Sequence, residues 1–279
     1  MINKYIAILI LSLVAISCQE VPVVLPEPSI FDTGKTILIE DVTGVDCSNC
    51  PRAAKRLEEI ADQFEGNIII VGVHGDQQTE PIKDRSKYDF RNEDARALEN
   101  YLRPWAGKPA SAFNRIQFEG VENFALSSIG EYQARVEELL AIPQTVFIGL
   151  EKDYDPDTRE LTITADVTPL TDLEGNFYFT VMITESHIID YQLDQDFGDY
   201  NPEYEHNHVL RDIITDTFGE RFVDSFTKEE SLSKQWTYTI PTTDDGLWVE
   251  ENLEIIVAIT DHANESKEVI QSAMVKVLD

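Results

Sequence analysis

The apolar positions along this chain change their period near residue 145. Before it, short unbroken apolar runs alternate with stretches whose apolar residues recur at helical spacing. After it, apolar and polar residues alternate singly. Thr36-Ile37-Leu38-Ile39 and Asn67-Ile68-Ile69-Ile70-Val71-Gly72-Val73 read as two buried strands. Between them Ala53, Ala54, Leu57, Ile60, Ala61 and Phe64 share one helical face, and Gly66 marks the stop. A second helix is predicted from Asn92 to Leu102 and ends before Pro104. A strand follows Pro109, and Gln117 to Val121 reads as an edge strand. Ser128 and Glu131 form a capping-box pattern. They open an amphipathic helix of Ile129, Tyr132, Val136, Leu139 and Leu140, closed by Pro143. The predicted order is β-α-β-α-β-β-α.

The second half reads as all-β. Val146, Ile148 and Leu150 alternate with polar residues, as do Leu161, Ile163, Ala165 and Val167, then Phe177, Phe179, Val181 and Ile183. Trp236, Tyr238 and Ile240 repeat the pattern, and so do Leu253, Ile255, Val257 and Ile259. Asp155-Pro156-Asp157 is a hairpin-turn signal. These features predict an immunoglobulin-like antiparallel β-sandwich over 144–279. A long excursion from Gln192 to Lys234 interrupts it, with a helix-like stretch from Val209 to Phe218. The excursion carries Asp194, Asp196, Asp199, Glu205, His206 and His208, which read as loop acids or as metal ligands. Gly198 is misplaced for an EF-hand loop and no cysteine assists, which favours loop acids.

The chemistry centres on Cys47-Ser48-Asn49-Cys50. It stands between the first strand and the first helix, and a dithiol in a βαβ unit reads as a thioredoxin-like redox motif. A thiolate near a helix N-terminus is stabilised by free N–H groups and the dipole, which favours Cys47 as the attacking thiol. Asp46 opposes this by like charge. Pro51 requires the helix to start close to it. The alternative is a Cys47–Cys50 disulfide that is structural and never turns over. The likeness to thioredoxins implies two further groups. Asp41 resembles the buried acid that serves the inner cysteine; it shares parity with Ile37 and Ile39, and Glu40 is its rival. Pro109 resembles the cis-proline before the third core strand, with Pro104 as the rival. His74 reads as a strand terminus or as a proton donor.

Composition narrows the partners. Formal net charge is −30 and the pI about 4.3, so phosphate backbones would be repelled and nucleic acid is excluded. Of three cysteines, one belongs to an N-terminal leader. Residues 1–17 carry Lys4, an apolar core from Tyr5 to Val14 and Ala15-Ile16-Ser17 before Cys18. That core is short for a membrane span and reads as a signal peptide. The cysteine after it resembles a lipobox, which implies fatty acylation of Cys18, palmitate included, and cleavage before it. An ordinary secretory signal is the alternative. Residues 18–30 hold Pro22, Pro26 and Pro28 and read as an extended tether, so 31–143 is the expected α/β domain.

Lipobox, thioredoxin-like domain and β-sandwich together resemble the outer membrane protein 28-related lipoproteins. The likeness rests on Cys47 to Pro51, on Pro109 to Arg115, and on Tyr204-Glu205-His206-Asn207-His208-Val209-Leu210-Arg211. It implies an outer-membrane location and no particular reaction. Two functions follow as expectations. One is a membrane-tethered thiol-disulfide oxidoreductase acting on envelope protein thiols or disulfides through Cys47 and Cys50, with Asp41 and Pro109 in support. It requires no metal or organic cofactor. The other is an envelope binding or adhesion lipoprotein on the same scaffold, with a permanent disulfide. An exposed Cys47 favours the first, and a buried or covered pair favours the second.

Overall fold

β1 (Ile37–Val42) and β2 (Ile68–Val73) pair in parallel in register Ile37–Ile68 to Val42–Val73. Both are continuously buried, as expected of strands covered on two faces. The computed structural model that shows this describes residues 34–243, 246–263 and 266–278. The expected leader, the tether and Cys18 lie outside the described residues.

Helix α1 (Cys50–Gln63) joins the two strands, as its apolar face predicts. With α3 (Tyr132–Leu140) it covers Ile37, Ile39, Ile68 and Ile70 on one face of the sheet. Helix α2 (Glu93–Tyr101) covers Leu38, Ile69, Val71 and Val73 on the other, through Ala95 and Leu98. The Asn92 side chain accepts from the N–H of Ala95 and caps α2. β3 (Ala110–Phe113) pairs antiparallel with β1, and β4 (Ala125–Leu126) with β3. The order is therefore β2-β1-β3-β4.

Two local expectations fail here. Gln117 to Val121 forms a turn, not a strand. The Val121 N–H bonds to the Phe118 carbonyl, Gly120 takes a positive φ, and pairing resumes only at Ala125. Ser128 does not close a capping box either. Its side chain makes no cap hydrogen bond, and a short 3₁₀ turn at Ile129–Glu131 leads into α3.

The alternating segments of the second half become long antiparallel strands. β5 (Val146–Asp155) and β6 (Glu160–Pro169) join through the predicted turn, with Asp155 accepting from the Asp157 N–H. β12 (Leu232–Thr239) extends them to a three-stranded sheet. β7 (Leu173–Glu185), β13 (Leu253–Asp261) and β14 (Glu268–Lys276) lie in the other sheet. Inward residues of both sheets, among them Ile163, Val167, Phe179, Val181, Ile255, Val257 and Trp236, make one buried cluster.

The expected long excursion is itself largely strand. β8 (Ile188–Asp194) and β9 (Asp199–His206) form a separate two-stranded hairpin. β11 (Glu220–Phe226) pairs with β7. The stretch expected as a helix begins as β10 (Val209–Ile213), inserted between β2 and β7. Val209, Leu210 and Ile213 are all buried there, so both faces of the segment are used. A tertiary vacancy between two strands has overridden a short helical pattern.

This insertion joins the halves that the sequence separates near residue 143. One nine-stranded sheet runs β14-β13-β7-β10-β2-β1-β3-β4, with β11 also on β7. At the seam the Gly72 N–H donates to the His208 carbonyl at 2.7 Å. A Cβ at Gly72 would meet that oxygen at 3.2 Å, a tight contact that glycine avoids.

Candidate functional site

The loop between β1 and α1 carries the two thiols. Helix α1 begins at Cys50 itself, with Asn49 at the N-cap and Pro51 in the first turn, where its missing N–H costs no bond. Cys47 and Cys50 are joined, with an S–S distance of 2.02 Å. Gly44 allows the loop to fold back, because a Cβ there would meet the Gln78 carbonyl oxygen at 2.3 Å. Each cysteine is only 2% exposed.

The cover comes from far along the chain. The Gln192 amide of β8 donates to the carbonyls of Gly44 and Cys47, both at 3.1 Å. The Leu193 N–H donates to the Val45 carbonyl at 2.8 Å, and the Gln195 N–H to that of Ser48 at 3.0 Å. Arg52 forms a two-pronged pair with Asp196, and the Tyr200 hydroxyl donates to Asp46 at 2.6 Å. The β8–β9 hairpin thus lies along the Cys-x-x-Cys loop as an added strand would. Sequence reasoning missed Gln192, since nothing local marks a residue that acts across so long a loop.

Asp41 and Glu40 are separated by strand parity. Asp41 points to the α1 side and pairs across the sheet with Ser111, whose Oγ donates to it at 2.7 Å. Burial pushes its carboxyl up to about 6, partly offset by the Ser111 bond and by Lys108. Glu40 points to the other side and is held by Arg115 in a buried bidentate pair at 2.7 and 2.8 Å. Lys108 is satisfied by Glu99 at 2.9 Å and by the Thr43 and Gln77 carbonyls. Pro109 follows it through a cis bond directly before β3; Arg103–Pro104 is cis as well.

Asp41 and Cys50 line one cavity of about 430 Å³ between α1, β2 and the hairpin. Pro109 is not among its lining residues, whereas His74, His206 and His208 are. His74 is buried and held well below the ordinary imidazole range, chiefly by desolvation. Desolvation also brings His206 down to about 4. His208 goes the other way, to about 9, because Glu254 and Glu58 flank it at 3.3 and 3.2 Å and outweigh its burial.

A family model described as outer membrane protein Omp28 matches residues 96–278. The chain belongs to the Omp28 family. The match spans most of the chain, including the hairpin and both ends of the seam's partner strand. Among solved structures, HBP35 of Porphyromonas gingivalis is similar to this Omp28-family chain with TM-score 0.65 at 15% identity, covering 87% of this chain and 75% of that one. A protein from Agrobacterium tumefaciens gives TM-score 0.50 at 11% identity, over 88% of this chain and 96% of that one. A domain of the outer membrane lipoprotein Omp28 from Porphyromonas gingivalis gives TM-score 0.34 at 20% identity, over 48% of this chain and 89% of that domain. No curated protein matches. Family membership associates the chain with the outer membrane; the likenesses to HBP35 and to the Agrobacterium tumefaciens protein speak to fold.

Proposed function

We propose that this Omp28-family chain is a lipid-anchored outer-membrane binding protein whose Cys47–Cys50 bond is a permanent crosslink. The observation that carries this reading is the hairpin sealed over the cysteine loop. A nucleophile must meet its target's sulfur directly, and both sulfurs are withdrawn from solvent. In this reading the N-terminal half is a thioredoxin-like scaffold. The strand order β2-β1-β3-β4, the placing of the dithiol at the start of α1 and the position of Pro109 directly before β3 support that. The second half is an immunoglobulin-like sandwich, supported by the core shared between its two sheets. Acylated Cys18 holds the protein on the membrane.

The test is alkylation of the folded full-length protein at neutral pH in mild dithiol reductant. Cys47 is expected to resist labelling until denaturant is added. Rapid labelling of Cys47 without denaturant, together with insulin reduction, would defeat the permanent crosslink. For the anchor, labelled palmitate is expected in the wild type and absent from Cys18→Ala; equal labelling of both removes the tether.

A second reading, thiol-disulfide exchange with envelope proteins, is favoured by one observation: Asp41 and Cys50 face the same cavity. In the reduced pair Cys47 thiolate would attack one sulfur of a substrate disulfide, break that S–S bond, expel the other sulfur as a thiolate and form a mixed disulfide. Cys50 would give its proton to Asp41, attack the Cys47 sulfur and release the substrate thiol. An envelope dithiol would then reduce the Cys47–Cys50 bond. This requires the hairpin to leave the loop.

A further inference from the structure

β2 is paired along its whole length on one flank and at a single residue on the other. The Asn67 and Val73 carbonyls accept from the N–H groups of Ile37 and Thr43 at 2.7 and 3.1 Å, so the odd-numbered residues turn their main chain toward β1. The even-numbered residues turn theirs the opposite way, as the bond from Gly72 to the His208 carbonyl requires. β10 meets β2 only at Gly72, and the chain before it leaves through His208, at positive φ, toward β9. Among the described residues no strand pairs with Ile68 or Ile70 on that flank. Both are slightly open, at 9% and 8% exposure, where Val71 and Val73 are fully buried. Their N–H and C=O groups form a short free edge within the largest sheet.

A groove follows this edge. The cavity beside Cys50 includes Ile70 and His208, and a second, of about 520 Å³, continues from those two residues to Ile68, Ile69 and Met274. A third, of about 390 Å³, shares Ile68 and Met274 and adds Phe147. The two sides of the middle cavity differ in chemistry. On the α1 side stand Glu58, which His208 engages, and the exposed Asp62 and Glu65, which have no ion pair among the described residues. On the other side are Ile69 and Met274, with Phe147 beyond them; Met274 and Phe147 are 37% and 51% exposed. No lysine or arginine lines the second or third cavity. An acidic rim or an apolar wall alone would signify nothing more than surface. The free edge between them decides the chemistry, because main-chain donors and acceptors spaced along a strand are matched by another extended main chain. Alternate side chains of such an incoming strand would fall on opposite sides. Those toward α1 would meet Asp62 and Glu65, and those between would meet Ile69 and Met274.

We infer that the open flank of β2 at Ile68 and Ile70 takes an extended segment of another protein as an added strand, one in which basic and apolar residues alternate. This names the class of partner for the binding reading above and rests on it. It uses neither sulfur, so a failure here leaves the crosslink standing, and the alkylation result leaves the strand site standing.

The experiment is fluorescence anisotropy on the purified full-length protein in mild detergent, at neutral pH and physiological salt. The probe is a labelled short peptide of alternating lysine and valine; the control has the same composition in two blocks. Saturable binding is expected for the alternating peptide and binding weaker by about tenfold or more for the control. In a strand every lysine N–H points to one flank and every valine N–H to the other. N-methylating one of these two sets should therefore weaken binding about tenfold or more, and N-methylating the other should not. Asp62→Lys with Glu65→Lys, both at exposed positions, should weaken it about tenfold, whereas the remote pair Asp153→Lys and Asp157→Lys should leave it unchanged. A photo-crosslinker introduced as Met274→p-benzoylphenylalanine should capture the peptide. The inference is overturned if the alternating peptide does not saturate, if the two N-methylated sets bind alike, or if the remote pair weakens binding as much. It is equally overturned if the crosslinker captures residues 18–33 or a second copy of the chain in place of the peptide.

Discussion

The side-chain amide of Gln192 donates to the main-chain carbonyl of Cys47 across 3.1 Å, and through it a hairpin from the second half of the chain closes over the disulfide. The same amide also reaches the carbonyls of Gly44 and Leu193, at 3.1 and 2.9 Å. Three acceptors therefore converge on one buried group.

Gln192→Ala should loosen that cover. The Gly44 and Cys47 carbonyls keep their main-chain bonds from the Cys47 and Cys50 N–H groups, so losing the side-chain donor removes hydrogen bonds without stranding an acceptor there and is expected to cost about 1 kcal/mol. The sharper readout is kinetic: reduction of Cys47–Cys50 by dithiothreitol, followed by alkylation and mass spectrometry, should accelerate by about tenfold or more. An unchanged rate would mean that the hairpin does not limit access.

Asp41→Asn should stabilise the protein, and only above mildly acidic pH. The folded carboxyl titrates near 6 against an ordinary value of 3.8, so the folded state holds its proton more tightly. The resulting stabilisation is fully present below about pH 4 and is lost as pH rises through about 6. An ionised, buried Asp41 thus costs up to about 3 kcal/mol at neutral pH. Urea midpoints of wild type and variant should nearly coincide at pH 4 and separate by pH 7.5, with the variant more stable.

His208→Gln should behave in the opposite sense. His208 gains a proton on folding from its two carboxylate neighbours, and titrates near 9 against 6.5. Its contribution is complete below pH 6.5 and is lost as pH rises through 9. The variant is expected to lose about 1–3 kcal/mol at pH 6 and to match the wild type near pH 10. Thermal melts across that range read the convergence directly.

Arg115→Leu should be among the more damaging single changes. It strands Glu40, which is 1% exposed and has no water to turn to. Breaking a buried pair from one side costs about 3–5 kcal/mol. Combining it with Glu40→Leu should recover much of that loss, a coupling that a double-mutant cycle in urea would measure.

What the sequence made legible follows from locality. The dithiol, its helix and both flanking strands lie within residues 37–73, and there a short window holds all the necessary information. Parity alone placed Asp41 on the α1 side. The Glu40 alternative closes only when Arg115 arrives from beyond β3, a partner no window around β1 contains. β10 carries a helical pattern, yet two distant strands leave room for a third and set its conformation. The β8–β9 hairpin was hidden for another reason. Its strands carry acids and tyrosines on both faces, so no apolar alternation announces them. The group that shields the sulfurs therefore left no signal in the pattern that found the sulfurs.

The glycine at position 72 has an effect on how the molecule can be taken apart. Because β10 docks there, a cut near residue 143 would remove the strand that pairs with β2 at Gly72 and leave a six-residue apolar strand with an open edge. Open edges of that kind recruit other chains. Neither fragment would be a sound surrogate for the whole, and heating or urea should dismantle both halves in one concerted transition.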